Sequence, residues 1–157
     1  MSVASTRGLR PAAELVAAAP QGDPLDLFAE LLRRGLPVTI RARGGSMRPA
    51  LRDGDVLTVA PLSAPARVGE VVAARRGSLL ALHRVHEVQG GRVRLCGDAC
   101  AQDDGFFTPG ELLGRAVAVR RAGRPLAPSR LGGGLGRLLG LLRPLTRAGL
   151  RVGGLLR

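Results

Sequence analysis

One serine of this chain stands where a nucleophile could stand. Ser46 follows Gly44-Gly45 and precedes Met47-Arg48-Pro49, so its hydroxyl sits on a nearly bare bend, open to a substrate and to a base. A serine hydroxyl is a poor nucleophile until something takes its proton. Lysine is absent, all 24 basic residues being arginine, and arginine stays protonated in proteins. The remaining neutral bases are the two imidazoles, His83 and His86. A third group that could orient a ring is available in Gly97–Gly105, which carries Asp98, Asp103 and Asp104. Each feature also has a plain structural reading. Gly-Gly-Ser-x-x-Pro is ordinary turn chemistry, a strand histidine is commonly a packed residue, and loop carboxylates are commonly solvated. His83, His86, Cys96 and Cys100 are close enough in sequence to raise a metal site. The Cys-x-x-x-Cys spacing is looser than structural zinc pairs, so no metal and no cofactor are expected.

These groups need elements to hold them. Val38–Arg43 alternates apolar and polar residues and reads as a strand that breaks at the two glycines. Asp53-Gly54-Asp55 then opens a second strand through Val56, Leu57 and Val59. Strands are expected at about 37–43, 55–60, 71–75, 79–88, 92–96 and 113–120, with a hairpin at Gly90-Gly91. His83 falls inside the fourth strand with Ala81 and Val85 on its face. Strict alternation would turn His86 to the other face. Asp23-Pro24 precedes a helix that buries Leu25, Phe28, Leu31 and Leu32 and ends at Gly35. The fold class expected is mainly β (α+β), with a short N-terminal helix. Residues 1–22 read as a weakly ordered leader, 23–122 as the β domain, and 123–157 as a linker with a basic segment.

Five blocks follow one another in order: Ser46-Met47-Arg48-Pro49-Ala50-Leu51, Gly54-Asp55-Val56, Val68-Gly69-Glu70-Val71-Val72, His83-Arg84-Val85 and Gly97-Asp98. Together they resemble the type I signal peptidases and, more distantly, the LexA-type self-cleaving repressors, over about residues 38–119. The resemblance implies a coiled β-sheet domain and a serine endopeptidase with Ser46 as nucleophile. In the bacterial signal peptidases and the repressors the base is lysine. Here that block carries His83, as in the archaeal and endoplasmic-reticulum branch with Ser–His chemistry. An imidazole ionises near neutrality and needs no strong burial to accept a proton. Matching the acidic block places Asp104 behind the ring, Asp98 as a loop brace and Asp103 as the adjacent substitute, with Gly45 and Met47 flanking the nucleophile. Two positions depart from the family pattern. Ala99 stands where an asparagine is usual, and Gly44 stands where a serine often contributes to the oxyanion site, which leaves that task to backbone N–H groups.

Charge bears on the partner. Residues 1–111 hold 14 arginines and all 12 carboxylates, whereas 112–157 hold 10 arginines and no acid. From Arg130 onward, Leu131, Leu135, Leu138, Leu142 and Leu145 follow helical spacing opposite Arg143, Arg147 and Arg151, an amphipathic pattern suited either to packing its leucines on the domain or to an anionic membrane face. No stretch reaches the roughly 18 apolar residues of a membrane-spanning helix. The expected partner is a peptide or pre-protein substrate. Expected localisation is the cytoplasm or the cytoplasmic membrane face, with peripheral contact through 130–157. Two other functions compete: a catalytically weak or inactive peptide-binding module on the same fold, and a DNA-associated regulator. The second is disfavoured because too few residues precede the first strand to make a helix-turn-helix with a linker. Nucleic acid is therefore not the expected partner.

Overall fold

A computed structural model describes residues 23–127 and 131–132. The expected leader, 1–22, and most of the expected basic amphipathic segment lie outside the described residues.

Helix α1, Pro24–Arg33, begins where the side chain of Asp23 accepts the Leu25 N–H at 2.9 Å, with proline in the first turn. It buries Leu25, Phe28, Ala29 and Leu32, an i, i+3, i+4, i+7 stripe. Ala29 takes the place expected of Leu31, which stays half-buried at the edge of the stripe. Gly35, at φ +80°, ends the helix in a conformation that side chains resist.

Eight strands follow: β1 Val38–Arg41, β2 Val56–Pro61, β3 Val71–Arg76, β4 Leu79–Gln89, β5 Arg92–Cys96, β6 Phe106–Phe107, β7 Leu112–Arg121 and β8 Arg124–Pro125. All pair antiparallel in one sheet ordered β1-β2-β7-β3-β4-β5-β6, with β8 on β7. The fold is mainly β with one short helix, as the sequence implies. The β4–β5 hairpin turns on Gly90 and Gly91, both at positive φ, the geometry that a two-residue hairpin favours. The stretch after Gly123 begins as the two-residue strand β8, and Leu126 N–H then reaches Val119 O.

β3 is central and buried on both faces, so its alternating side chains separate the core. Val71 joins Met47, Leu51, Leu57, Val119 and Leu131 on one side, and Ala73 with Val59 receives α1. Val72 and Ala74 face Val85, Val93, Leu95 and Phe107 on the other. Burying each such Leu or Val contributes about 1.5–3 kcal/mol. Leu131 is therefore a core residue, and its carbonyl accepts the Val71 N–H at 2.9 Å.

Candidate active site

Ser46 is held from both directions along the chain. Upstream, Gly44 adopts φ +82° and donates its N–H to Asp53 Oδ1 at 2.8 Å, tying the bend to the Asp53-Gly54 turn. Downstream, the chain coils tightly, with Arg48 N–H on Gly45 O and Leu51 N–H on Met47 O. Met47, Ala50 and Leu51 are buried and anchor this coil in the core. The serine hydroxyl, fixed by its neighbours, stays partly exposed at the rim.

A second support comes from residues 97–100. Ala99 donates its N–H to Ser46 O at 2.8 Å, and Cys100 Sγ lies 3.9 Å from the same oxygen. Gly97 packs so closely that an added Cβ would sit 2.6 Å from Ser46 O and 3.1 Å from Ser46 Cβ. Only a residue without a side chain fits there.

β4 supplies the imidazole. His83 Nε2 lies 3.0 Å from Ser46 Oγ, and its Nδ1 contacts Asp104 Oδ2 in a short hydrogen bond. Ser46 and Asp104 are 37 and 21 residues from His83 in sequence, and the fold joins them in one line. In the tautomer that directs Nδ1–H at the carboxylate, Nε2 would present its lone pair to the serine hydroxyl. The ring is mostly buried, its side chain 15% exposed, while Asp104 is one-third exposed.

Asp104 is fixed at both of its backbone groups. Its N–H donates to Leu95 O at 2.9 Å, and its carbonyl accepts from Arg76 Nη1 at 3.1 Å. Arg76 also donates to Phe106 O and to Glu111 Oε1, and its guanidinium stacks on the Phe107 ring 3.9 Å from the centroid. Glu111 in turn accepts from Thr108 N–H and Oγ1, and these bonds with Arg76 hold its carboxyl below the ordinary range.

The other expected residues sit nearby in different settings. Both oxygens of Asp98 accept from Arg84, at 2.7 and 2.8 Å, and both side chains are fully buried. Arg84 also reaches Gly69 O at 2.7 Å, so this pair braces the loop that carries Gly97 and Asp104. Asp103 accepts from Gly105 N–H and lies 3.8 Å from Arg94. Strict alternation does not carry through to His86, because the β4–β5 pairing shifts between Val85 and Glu87. Cys96 Sγ donates to Gln102 O at 3.0 Å, and neither cysteine is in a disulfide. Among the described residues no cluster of three or more His, Cys, Asp or Glu is placed to hold a metal ion.

Arg76 and Arg84 were not foreseen as site residues. Arg84 had a signal, since it directly follows His83 in a motif block. Arg76 had none, because its partners lie 28 to 35 residues away.

A serine, an imidazole and a carboxylate in this order can move a proton off the hydroxyl and stabilise the imidazolium that forms. Residues 14–117 match the family model described as Peptidase S24-like, and the chain belongs to that family. This places it in the superfamily that joins signal peptidases with LexA-type repressors, and its function in the range of serine peptidases and self-cleaving repressors. A search among curated proteins found no match. No helix among the described residues is long and apolar enough to cross a membrane.

Proposed function

We propose that this chain is a serine endopeptidase of the Ser–His type, cleaving a leader, signal or related peptide. Ser46 Oγ attacks the scissile carbonyl while His83 Nε2 takes its proton, and Asp104 holds the ring and balances its charge. His83 then gives that proton to the leaving amine. Water, deprotonated by the same ring, hydrolyses the acyl-serine and restores the site. The observation that carries this reading is the 3.0 Å Ser46–His83 contact, with Asp104 on the ring's other nitrogen. The oxyanion falls to the Ser46 N–H and a neighbouring backbone N–H, because Gly44 brings no side-chain hydroxyl to the site. The substrate lies extended along the exposed edge of β1, which ends just before the serine bend. Peripheral membrane contact through residues 130–157, apart from Leu131, which is buried in the core, belongs to the same proposal.

A second reading is a peptide-binding module with weak or no turnover. Glycine at position 44, where a serine hydroxyl would donate, favours it, since loss of one oxyanion donor costs on the order of 100-fold in rate. One experiment separates the two. Wild type and Ser46→Ala are incubated with a peptide library and with a fluorophosphonate probe, both read by mass spectrometry. Wild type is expected to cut and to be labelled at Ser46, and Ser46→Ala to lose about 10⁴-fold or more of the cleavage. Equal cleavage by both proteins would remove Ser46 from the mechanism. Absence of both cleavage and label would leave the binding module.

A further inference from the structure

The described arginines are unevenly paired. Eight of them meet a carboxylate within 4 Å. Arg41, Arg43, Arg48 and Arg52, within a few residues of Ser46 on either side, are all exposed, and among the described residues none has its guanidinium within 4 Å of a carboxylate, although Arg52 feels the charge of Asp55. The two acids of the same loop are committed elsewhere. Asp53 receives the Gly44 N–H, and Asp55 is buried against Arg121. Register adds another cation at this end of the sheet, since Arg41 and Arg120 both lie opposite Val56. Arg48 is closest to the chemistry, its Cδ and Nε lying 3.7 Å from where a Cβ on Gly45 would stand. The bend that carries Ser46 is thus rimmed by exposed guanidinium groups, none of which is ion-paired within 4 Å among the described residues.

We propose that this rim recognises acidic side chains on the substrate peptide, within about two or three residues of the bond presented to Ser46. An extended peptide advances about 3.3 Å per residue, and an arginine side chain spans about twice that. A carboxylate at that range meets Arg48 or Arg43 while the backbone stays at Ser46. Arginine matches a carboxylate with two parallel N–H donors, so the rim selects by geometry as well as by charge. Two observations favour a peptide over other anions. Between Arg41 and Asp55 no large apolar side chain is exposed, so the rim itself offers no apolar anchor for a bilayer. No aromatic residue lies between Val38 and Pro61 to stack nucleic-acid bases. The identity of the bond cut rests on the peptidase reading above, whereas recognition of the acidic peptide is a separate property of the rim.

The test uses two labelled peptides of equal length that differ only in carrying glutamates or glutamines. Binding to the full-length Ser46→Ala protein is measured by fluorescence anisotropy at low and moderate salt. The glutamate peptide is expected to bind about tenfold more tightly, with an advantage that shrinks as salt rises. Adding Arg43→Gln and Arg48→Gln should abolish that preference. Adding Arg92→Gln, which removes one positive charge on the distant β5, should preserve it. Equal binding of the two peptides, or a preference that survives the double change, would overturn the rim. So would phosphatidylglycerol vesicles or a DNA oligonucleotide binding through Arg43 and Arg48 while the glutamate peptide does not. Cleavage of the same peptides by wild type is followed in parallel. Preferential binding without cleavage sinks the peptidase reading and leaves the rim standing, and cleavage without preference does the reverse.

Discussion

At the scale of single residues, the geometry of the Ser46–His83–Asp104 line depends on one glycine as much as on those three residues. Gly97 leaves room for the Ser46 carbonyl, which takes the Ala99 N–H at 2.8 Å. A methyl group there would meet Ser46 O at 2.6 Å and Cys100 Sγ at 2.7 Å. The thiol could swing away, but the oxygen is backbone and can yield only by carrying Ser46 with it. Gly97→Ala is therefore expected to lower kcat/KM by about 100-fold, the cost of displacing a reacting group by around 1 Å. Circular dichroism should show the sheet intact. Activity within a few-fold of wild type would mean that the loop relaxes and that the contact does not position Ser46.

At the scale of elements, the acid behind the ring is set by strands far from it in sequence. Arg76, at the end of β3, bridges the Asp104 and Phe106 carbonyls and the Glu111 carboxylate. On the proposed mechanism it acts only through Asp104, as a positioning residue. Arg76→Ala should reduce kcat about tenfold with KM little changed, because ring orientation matters more in the transition state than in substrate binding. Arg76→Lys should restore only part of this, since an ammonium group cannot span three acceptors with a planar fork. A change confined to KM, or full rescue by lysine, would refute that role. Under the same loop, the buried Arg84–Asp98 pair supplies rigidity. Breaking such a pair from one side typically costs about 3–5 kcal/mol, because the remaining charge stays buried.

At the scale of the molecule, the serine end of the sheet is locked by charge. Asp55 is buried and accepts from two nitrogens of Arg121 and from the Arg52 N–H, which joins the start of β2 to the end of β7. The Arg121 hydrogen bond, with that from Arg52, holds its carboxyl below the ordinary range despite burial. A carboxyl depressed in the folded state contributes stability above its unfolded pKa and loses it as pH falls through the folded value. Asp55→Asn should thus be less stable than wild type by about 2 kcal/mol at neutral pH. The difference should narrow as pH drops below about 4. Urea unfolding at a series of pH values measures this, and a gap unchanged in acid would show that charge is not its source.

How much of this could be read from the chain alone follows from the range of each interaction. The principal strands, the helix stop at Gly35, the Gly90-Gly91 turn and the bare bend at Ser46 are local, and their periodicity and turn chemistry are written in neighbouring residues. The absence of lysine was equally legible, and it removed one whole class of base. Residue patterns left two imidazoles and three carboxylates open, and only the family likeness ranked His83 and Asp104 first. Which groups share a hydrogen bond with Ser46 depends on how β3, β4 and β5 pair and on how the 97–105 loop folds back over them. The short strands β6 and β8 also escaped notice, because two residues carry no period and exist only by pairing with a longer neighbour. Bends and strands are decided by a few adjacent side chains, whereas a proton path across 37 and 21 residues is decided by packing, which alone brings such distant groups within bonding distance.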